Sequence, residues 1–464
     1  MIYLLLALLV VIFIVNFFVC KKDIISPAFI FTFGFMFQTV WAVLYAGRWD
    51  LQLHLNTFLV IFLGVLEFSL VCYIVSYIYS KINKRIKNKT VVNITEKSVE
   101  KDKKEDIENK IKKINTNKIF EILLLVVCII ISCIYLWFVV KAVNGSFESF
   151  KSITMALSKY DSSIKFSDKS VHIPFIISNL ELFVIAVGYW FTYVIINNFF
   201  VEKKIDIIKI LIVLVSLVSS TLSGSRGIAF MMIAASILYF MVILSKKKNY
   251  TNILSLKLIR NIAIIGIVFM ATFYSFANLL GRNIKGNKFD YLAIYCGAEV
   301  KNLDVFLQED NYKKDNKIFG SQTFINVVTT IGEKIGFKDY KSYKLDLPFR
   351  NHAGFSLGNV YTTFYPFIYD FGYLGEFVLV LIMAIISQLV YEHIKNKKEC
   401  DVPLISSLVY GIIFCCLLLS FFSNKFYENV FSMGMVKYII FWVILNYVLC
   451  KFKWQDLKKI IRRK

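Results

Sequence analysis

Thr221-Leu222-Ser223-Gly224-Ser225-Arg226-Gly227 brings two serine hydroxyls and a guanidinium to the start of an apolar run. Gly224 and Gly227 permit a tight turn there. Free N–H groups at a helix start, with an arginine beside them, suit a phosphate or diphosphate. The plainer alternative is that Arg226 snorkels to a membrane interface and Ser225 only helps make the turn. Arg282, in Gly281-Arg282-Asn283, and Arg350, in Phe349-Arg350-Asn351-His352, have similar surroundings. Three such cations could surround one diphosphate; taken singly, each would be an interface anchor. His352, with a free pKa near 6.5, could accept a proton as general base. Asp290, Glu299 and Asp304 are equally eligible acids in the same loop.

The stretch from Gly358 to Gly375 is of another kind. Asn359, Thr363, Pro366 and Asp370 fall close to one helical face, interleaved with Tyr361 and other aromatics. Aromatic faces beside amide, hydroxyl and carboxylate groups are what a sugar needs: stacking on its apolar face and hydrogen bonds to its hydroxyls. Pro366 is expected to kink or end a helical turn. The alternatives are an aromatic belt at a membrane surface and Asp370 as N-cap of the helix that follows.

These groups must be positioned by membrane-spanning helices. Eleven apolar stretches occur, at 2–19, 27–46, 55–80, 119–140, 172–200, 207–222, 228–244, 261–280, 373–393, 402–422 and 433–450. Most approach the ~20 residues that an α-helix needs to cross a bilayer. Lys and Arg collect in alternate connections: Lys21-Lys22, 81–118, Lys203-Lys204, 246–260, 395–398 and 451–464. Positive connections stay in the cytoplasm, so the N-terminus is expected outside and the C-terminus inside. The long connection 281–358 then falls outside, on the same side as Arg226, Arg282 and Arg350.

The chain of 464 residues is 57% hydrophobic with a mean hydropathy of +0.62, which excludes an ordinary soluble enzyme. Its net charge of +22 lies largely in the cytoplasmic connections, so it reads as topology and attraction to anionic headgroups, not nucleic-acid binding. Of the nine cysteines only Cys296 falls in an external loop, which gives no disulfide framework and no metal-ligand spacing. The first stretch lacks a basic start and a small-residue cleavage site, so it reads as a retained helix. The segment 81–118 is rich in Lys, Glu, Asn and Asp without apolar period and reads as a solvated cytoplasmic linker. In the external loop, Val300, Leu303, Phe306 and Leu307, and then Phe324, Val327, Val328, Ile331 and Ile335, recur at helical spacing. Two amphipathic helices on the outer membrane surface are expected. Glu67 sits near the middle of the third span, where a charge costs roughly 2.5–3.5 kcal/mol. It is either a proton or substrate site, or a protonated carboxyl hydrogen-bonded inside the bundle. Glu181, Glu376 and Lys437 are expected nearer the outer ends.

The expected architecture is an all-α polytopic integral membrane protein of about eleven transmembrane helices. It forms one membrane domain over 1–464, with a long external loop of short amphipathic helices capping the bundle.

At Ser223–Gly227, at Phe319-Gly320 with Thr323-Phe324 and Gly336-Phe337, and above all at 359–372 (Asn359 through Tyr365-Pro366 to Asp370-Phe371-Gly372), the chain resembles the oligosaccharide repeat-unit polymerases. These are the Wzy-like O-antigen and capsule polymerases. The resemblance implies a multi-pass glycosyltransferase of the bacterial cytoplasmic membrane. It would join polyprenyl-diphosphate-linked oligosaccharide units on the outer face and release polyprenyl diphosphate, with no cofactor, metal or nucleotide sugar. A flippase and a chain-length regulator would be its partners, beside membrane lipid. Arg226, Arg282 and Arg350, with Ser225, would hold the diphosphate. His352 would be the base, with Asp370 or Glu299 behind it; Asn359, Tyr361 and Thr363 would grip sugar. A ligase that transfers the same donor to another acceptor, and a transporter of lipid-linked sugars, are the rival expectations.

Overall fold

The computed structural model describes residues 1–91, 111–166, 171, 173–248, 260, 264, 266, 287–309, 319–336, 344–397 and 401–451. The first three helices are α1 (Ile2–Val19), α2 (Pro27–Leu44) and α3 (Leu55–Val91). They are followed by α4 (Lys118–Ala142), α5 (Phe150–Phe166), α6 (Phe175–Glu202), α7 (Ile207–Ser219) and α8 (Gly227–Lys247). The former loop region contributes α9 (Lys288–Gln308), α10 (Ile325–Ile335) and a hairpin of β1 (Arg350–His352) and β2 (Phe355–Gly358). The chain closes with α11 (Phe364–Asn396), α12 (Ile405–Leu418), α13 (Lys425–Asn429) and α14 (Met433–Leu445), the last running into a π-helical turn, Asn446–Lys451.

Among the described residues eight helices are long and apolar enough to cross a membrane: α1 to α4, α6, α8, α11, and α14 with its π turn. The chain is thus an all-α polytopic membrane protein. Helices α7 and α12 are apolar but only 13 and 14 residues long. The expected span at 261–280 lies almost wholly outside the described residues, as do Arg282 and the stretch 92–110 of the linker.

Two compact units form from discontinuous segments. The first comprises 1–96, 252–396 and 412–433; the second comprises 97–251, 397–411 and 434–464. In the first, α3 packs along α11, and α2 lies between α1 and α9. Connections given the same side by their charge do meet. At the inner end Asp23 is bonded by Tyr391 and lies 3.5 Å from the Lys395 ammonium. At the outer end Tyr45 and Arg48 donate to Asp290 at 2.7 and 2.8 Å.

The external segment differs from the sequence expectation in one respect. Helix α9 does not lie on a membrane surface with its polar side in water; Glu299, Lys301, Asn302 and Asp304 are all buried. Each finds a partner in distant chain, which is why a polar face can be enclosed here. Gln38 of α2 donates to Glu299 at 3.4 Å, and Lys301 donates to the Asp50 carbonyl at 2.9 Å. Asn302 donates to the carbonyls of Leu357 and Val360. Asp304 accepts from the His54 backbone N–H at 3.0 Å and the Thr57 hydroxyl at 2.7 Å, and so satisfies the start of α3. Between these polar positions Ala293, Cys296 and Ala298 pack with Trp41, Tyr45, Trp49, Leu357 and Val360.

Pro366 does not kink a helix, because α11 begins at Phe364 and the proline falls in its first turn, where no N–H bond is lost. The break comes at Gly372, with φ 68° and ψ −169°, a conformation essentially confined to glycine.

In the second unit polar groups join apolar helices, as expected where lipid gives no hydrophobic drive. Ser219 of α7 donates to Glu181 of α6 at 2.7 Å, and Ser132 of α4 donates to Ser219 at 2.8 Å. Buried Lys209 of α7 bridges Glu121 of α4 at 3.0 Å and Asp206 at 2.7 Å. Trp442 of α14 donates to the Ala186 carbonyl of α6 at 3.0 Å.

Candidate functional site

The most developed polar and aromatic arrangement lies where β1, the end of α9 and the start of α11 converge in the first unit. A turn on Ala353 and Gly354, both at positive φ, closes the hairpin and brings Phe355 opposite His352. The strand presents Arg350, whose two terminal nitrogens grip both oxygens of Glu309 just past α9. Its Nε donates to the Tyr361 hydroxyl at 3.1 Å, which in turn donates to the Pro348 carbonyl at 2.9 Å. The Glu309 carboxylate holds the guanidinium protonated, above even its ordinary high pKa, against the opposing effect of burial.

Tyr361 begins an aromatic ladder. Its ring centroid is 4.2 Å from that of Tyr365, which is 5.8 Å from Tyr369 and 4.4 Å from Phe306 of α9. Asp346 ties the ladder to the loop: its carbonyl accepts from Tyr365 at 2.6 Å and its carboxylate from Tyr369 at 2.8 Å. Gln322 then accepts from the Asp346 N–H at 2.8 Å. Tyr361 and Tyr365 are buried, whereas Tyr369, Asp346 and the Glu309 carboxylate reach the surface. The surface end of this array joins an aromatic edge to two acids, a combination suited to a polyhydroxylated ligand.

The residues expected from sequence divide accordingly. Asp370 accepts from the backbone N–H groups of Gln322 and Thr323 at 3.1 and 2.6 Å, so it orders that turn and is no N-cap to the following span. Glu299 is sealed under the external layer, with Oε1 unpartnered among the described residues, and burial pushes its carboxyl well above the usual range. A carboxyl kept neutral and away from water cannot serve as an external base. Tyr361 has spent its hydroxyl on Arg350 and Pro348, and Thr363 is fully buried with its hydroxyl unpartnered among the described residues. Neither offers a group to a sugar arriving from outside. His352 and Asn359 are half-buried and make no side-chain hydrogen bond among the described residues. These two, with Arg350, are the expected groups that stand together at the hairpin.

Arg226 and Ser225 belong to the second unit. Loop 220–226 packs on α5, with Gly224 against the Leu157 carbonyl and the Asp161 side chain. Arg226 is buried at the residue before α8, and the Ser225 hydroxyl lies 3.4 Å from the Gly227 N–H. Glu67 is in α3, its Oε1 buried and without a hydrogen-bond partner among the described residues, so the hydrogen-bonded alternative has no partner there.

Sequence reasoning missed Glu309, Asp346 and Tyr369. The tyrosines at 361, 365 and 369 are spaced four apart, a readable signal, although Tyr361 stands three residues before α11 begins. Glu309 and Asp346 stand beside segments without apolar period and had none. No family model, curated protein or solved structure matches this chain.

Proposed function

We propose that the protein polymerises polyprenyl-diphosphate-linked oligosaccharide repeat units at the outer face of the bacterial cytoplasmic membrane. The observation that carries this reading is the folded external layer: a Tyr361–Tyr365–Tyr369 ladder beside an ionised Arg350 and a half-buried His352, resting on membrane-spanning helices. A lipid-linked glycan needs both surfaces at once, an aromatic and polar one for sugar and an apolar one for its tail.

In the proposed reaction an acceptor hydroxyl attacks the anomeric carbon at the reducing end of the growing glycan. The C–O bond to the carrier breaks and polyprenyl diphosphate leaves. His352 takes the hydroxyl proton, since Glu299 is sealed and Asp370 is engaged by backbone N–H groups. The charge developing on the diphosphate calls for fixed cationic donors, and loss of one such donor costs about 10²–10³ in rate. For Arg226 and Arg282, with Ser225, that role is proposed from the sequence alone. Arg350, already paired with Glu309, holds Tyr361 and the hairpin in place.

Purified protein given its cognate polyprenyl-diphosphate repeat unit, without nucleotide sugar or metal, is expected to yield a ladder of repeats. Arg226→Ala is expected to lower the rate about 10²–10³-fold. Single units capped onto a different acceptor would replace polymerase by ligase. Movement of unaltered substrate across a vesicle membrane, with no glycan joined, would replace both by a transporter.

A further inference from the structure

Two acids stand on the packed helices α3 and α11 of the first unit, and nothing in the polymerase reading uses them. Glu67 lies about a third of the way along α3, and Glu376 lies one turn after the Gly372 break in α11, the helix that runs along α3. Glu376 is 8% exposed, and its Oε1 has no hydrogen-bond partner among the described residues. The same holds for the buried Oε1 of Glu67. Gly64, three residues before Glu67 and on the same side of α3, makes the approach possible. An added Cβ at Gly64 would stand 2.8 Å from Glu376 Oε1 and 2.7 Å from the Phe364 ring. The side of α3 that carries Gly64 and Glu67 therefore faces Glu376.

Among the described residues neither acid forms an ion pair; α13, which reaches α11 through Tyr427 at the Leu379 carbonyl, carries Lys425 already bonded to Glu428. Phe364 stacks on Phe35 at 5.0 Å, and Phe31 stacks on Phe68 at 4.1 Å, all four rings being buried. Helix α2 carries no ionisable residue and α1 only Tyr3 at its outer tip. On α3 the titratable neighbours are Cys72, Tyr73, Tyr77 and Tyr79, and the first basic residue is Lys81. Fourteen residues separate Lys81 from Glu67, about 21 Å along a helix. On α11 the groups beyond Glu376 are Tyr391, Glu392, His393 and Lys395 at the inner end, with Tyr365, Tyr369, Asp370 and Tyr373 at the outer. Glu299 and Asp304 of α9 are committed to Gln38 and to the start of α3. Two like charges in such a place cannot both persist: each costs several kcal/mol to bury, and their repulsion adds to that.

We infer that Glu67 and Glu376 form an intramembrane proton-binding site, a pair of acids that together bind one proton and exchange it. The ligand is a proton; Gly64 keeps the pair accessible to each other, and the phenylalanine cluster excludes compensating water and ions. The site is independent of the glycan chemistry assigned above.

A hydrophobic carbodiimide tests this, because it adds only to protonated carboxyls in apolar surroundings. Purified full-length protein in detergent, treated with dicyclohexylcarbodiimide and mapped by mass spectrometry, is expected to carry the adduct on Glu67 or Glu376. Labelling should fall about tenfold per pH unit above its midpoint. Glu67→Gln should retain labelling at Glu376 and move that midpoint to lower pH, since the repelling charge is gone. Glu376→Gln should do the same for Glu67, so that failure of one variant to fold leaves the other decisive. Absence of adduct at both residues at every pH overturns the proposal. So does a midpoint that neither substitution moves. Protection by millimolar Na⁺ at fixed pH would overturn it in favour of a metal cation.

Discussion

At the scale of single residues, the external layer separates groups by what they have left to offer. His352 retains an accessible ring, whereas Glu299 retains only a buried acid. His352→Gln is therefore expected to slow repeat-unit joining about 10²–10⁴-fold, measured as ladder growth, with little change in thermal unfolding. Glu299→Gln should leave ladder growth intact and act on stability instead. Burial raises the Glu299 pKa in the folded protein above its unfolded value. The folded state then binds the extra proton, so the favourable contribution is complete below the unfolded pKa and is lost as pH rises towards the folded one. Thermal unfolding scanned from pH 5 to pH 8 should fall more steeply for wild type than for Glu299→Gln, by up to about 1.4 kcal/mol per pH unit. Parallel curves would refute the assignment. Such roles were only half legible in the sequence. His352 and the acids could be singled out by type, but the fate of each depends on partners up to 261 residues away, such as Gln38 for Glu299.

At the scale of elements, hydropathy located the helices well because apolar composition alone selects a bilayer span. It failed where polarity and position diverge. Helix α9 looked like a surface helix because Val300, Leu303, Phe306 and Leu307 recur at helical spacing, yet the partners of its polar Glu299, Lys301, Asn302 and Asp304 lie on α2, in the 45–54 connection, at the start of α3 and at the hairpin. The break in α11 was assigned to Pro366, a residue whose constraint is harmless in a first turn; the glycine six residues on carries it. Gly372→Ala is expected to cost about 1–3 kcal/mol, since alanine is strained at that φ and ψ. A lower unfolding temperature, with Pro366→Ala near neutral, would verify that the glycine and not the proline redirects the helix. The reverse order would place the break at Pro366.

At the scale of the whole molecule, charge alternation is the feature that reads most directly from sequence. It assigns the hairpin and the segment after α11 to opposite faces of the membrane. A cysteine at exposed Ser356 should react with an impermeant maleimide on intact cells, and one at exposed Lys397 only after permeabilisation. The opposite pattern would invert the topology and move the proposed chemistry to the cytoplasm. The division into two units was not legible, because each is assembled from three separated segments. Such assembly also has an order in time. The carboxylate that caps the start of α3 comes from Asp304, 250 residues after His54 in the chain. At ordinary synthesis rates that separation is roughly 12–50 s. During biogenesis, then, the third span enters the membrane with its outer N–H groups waiting, and the first unit can close only after more than half of the protein has left the ribosome.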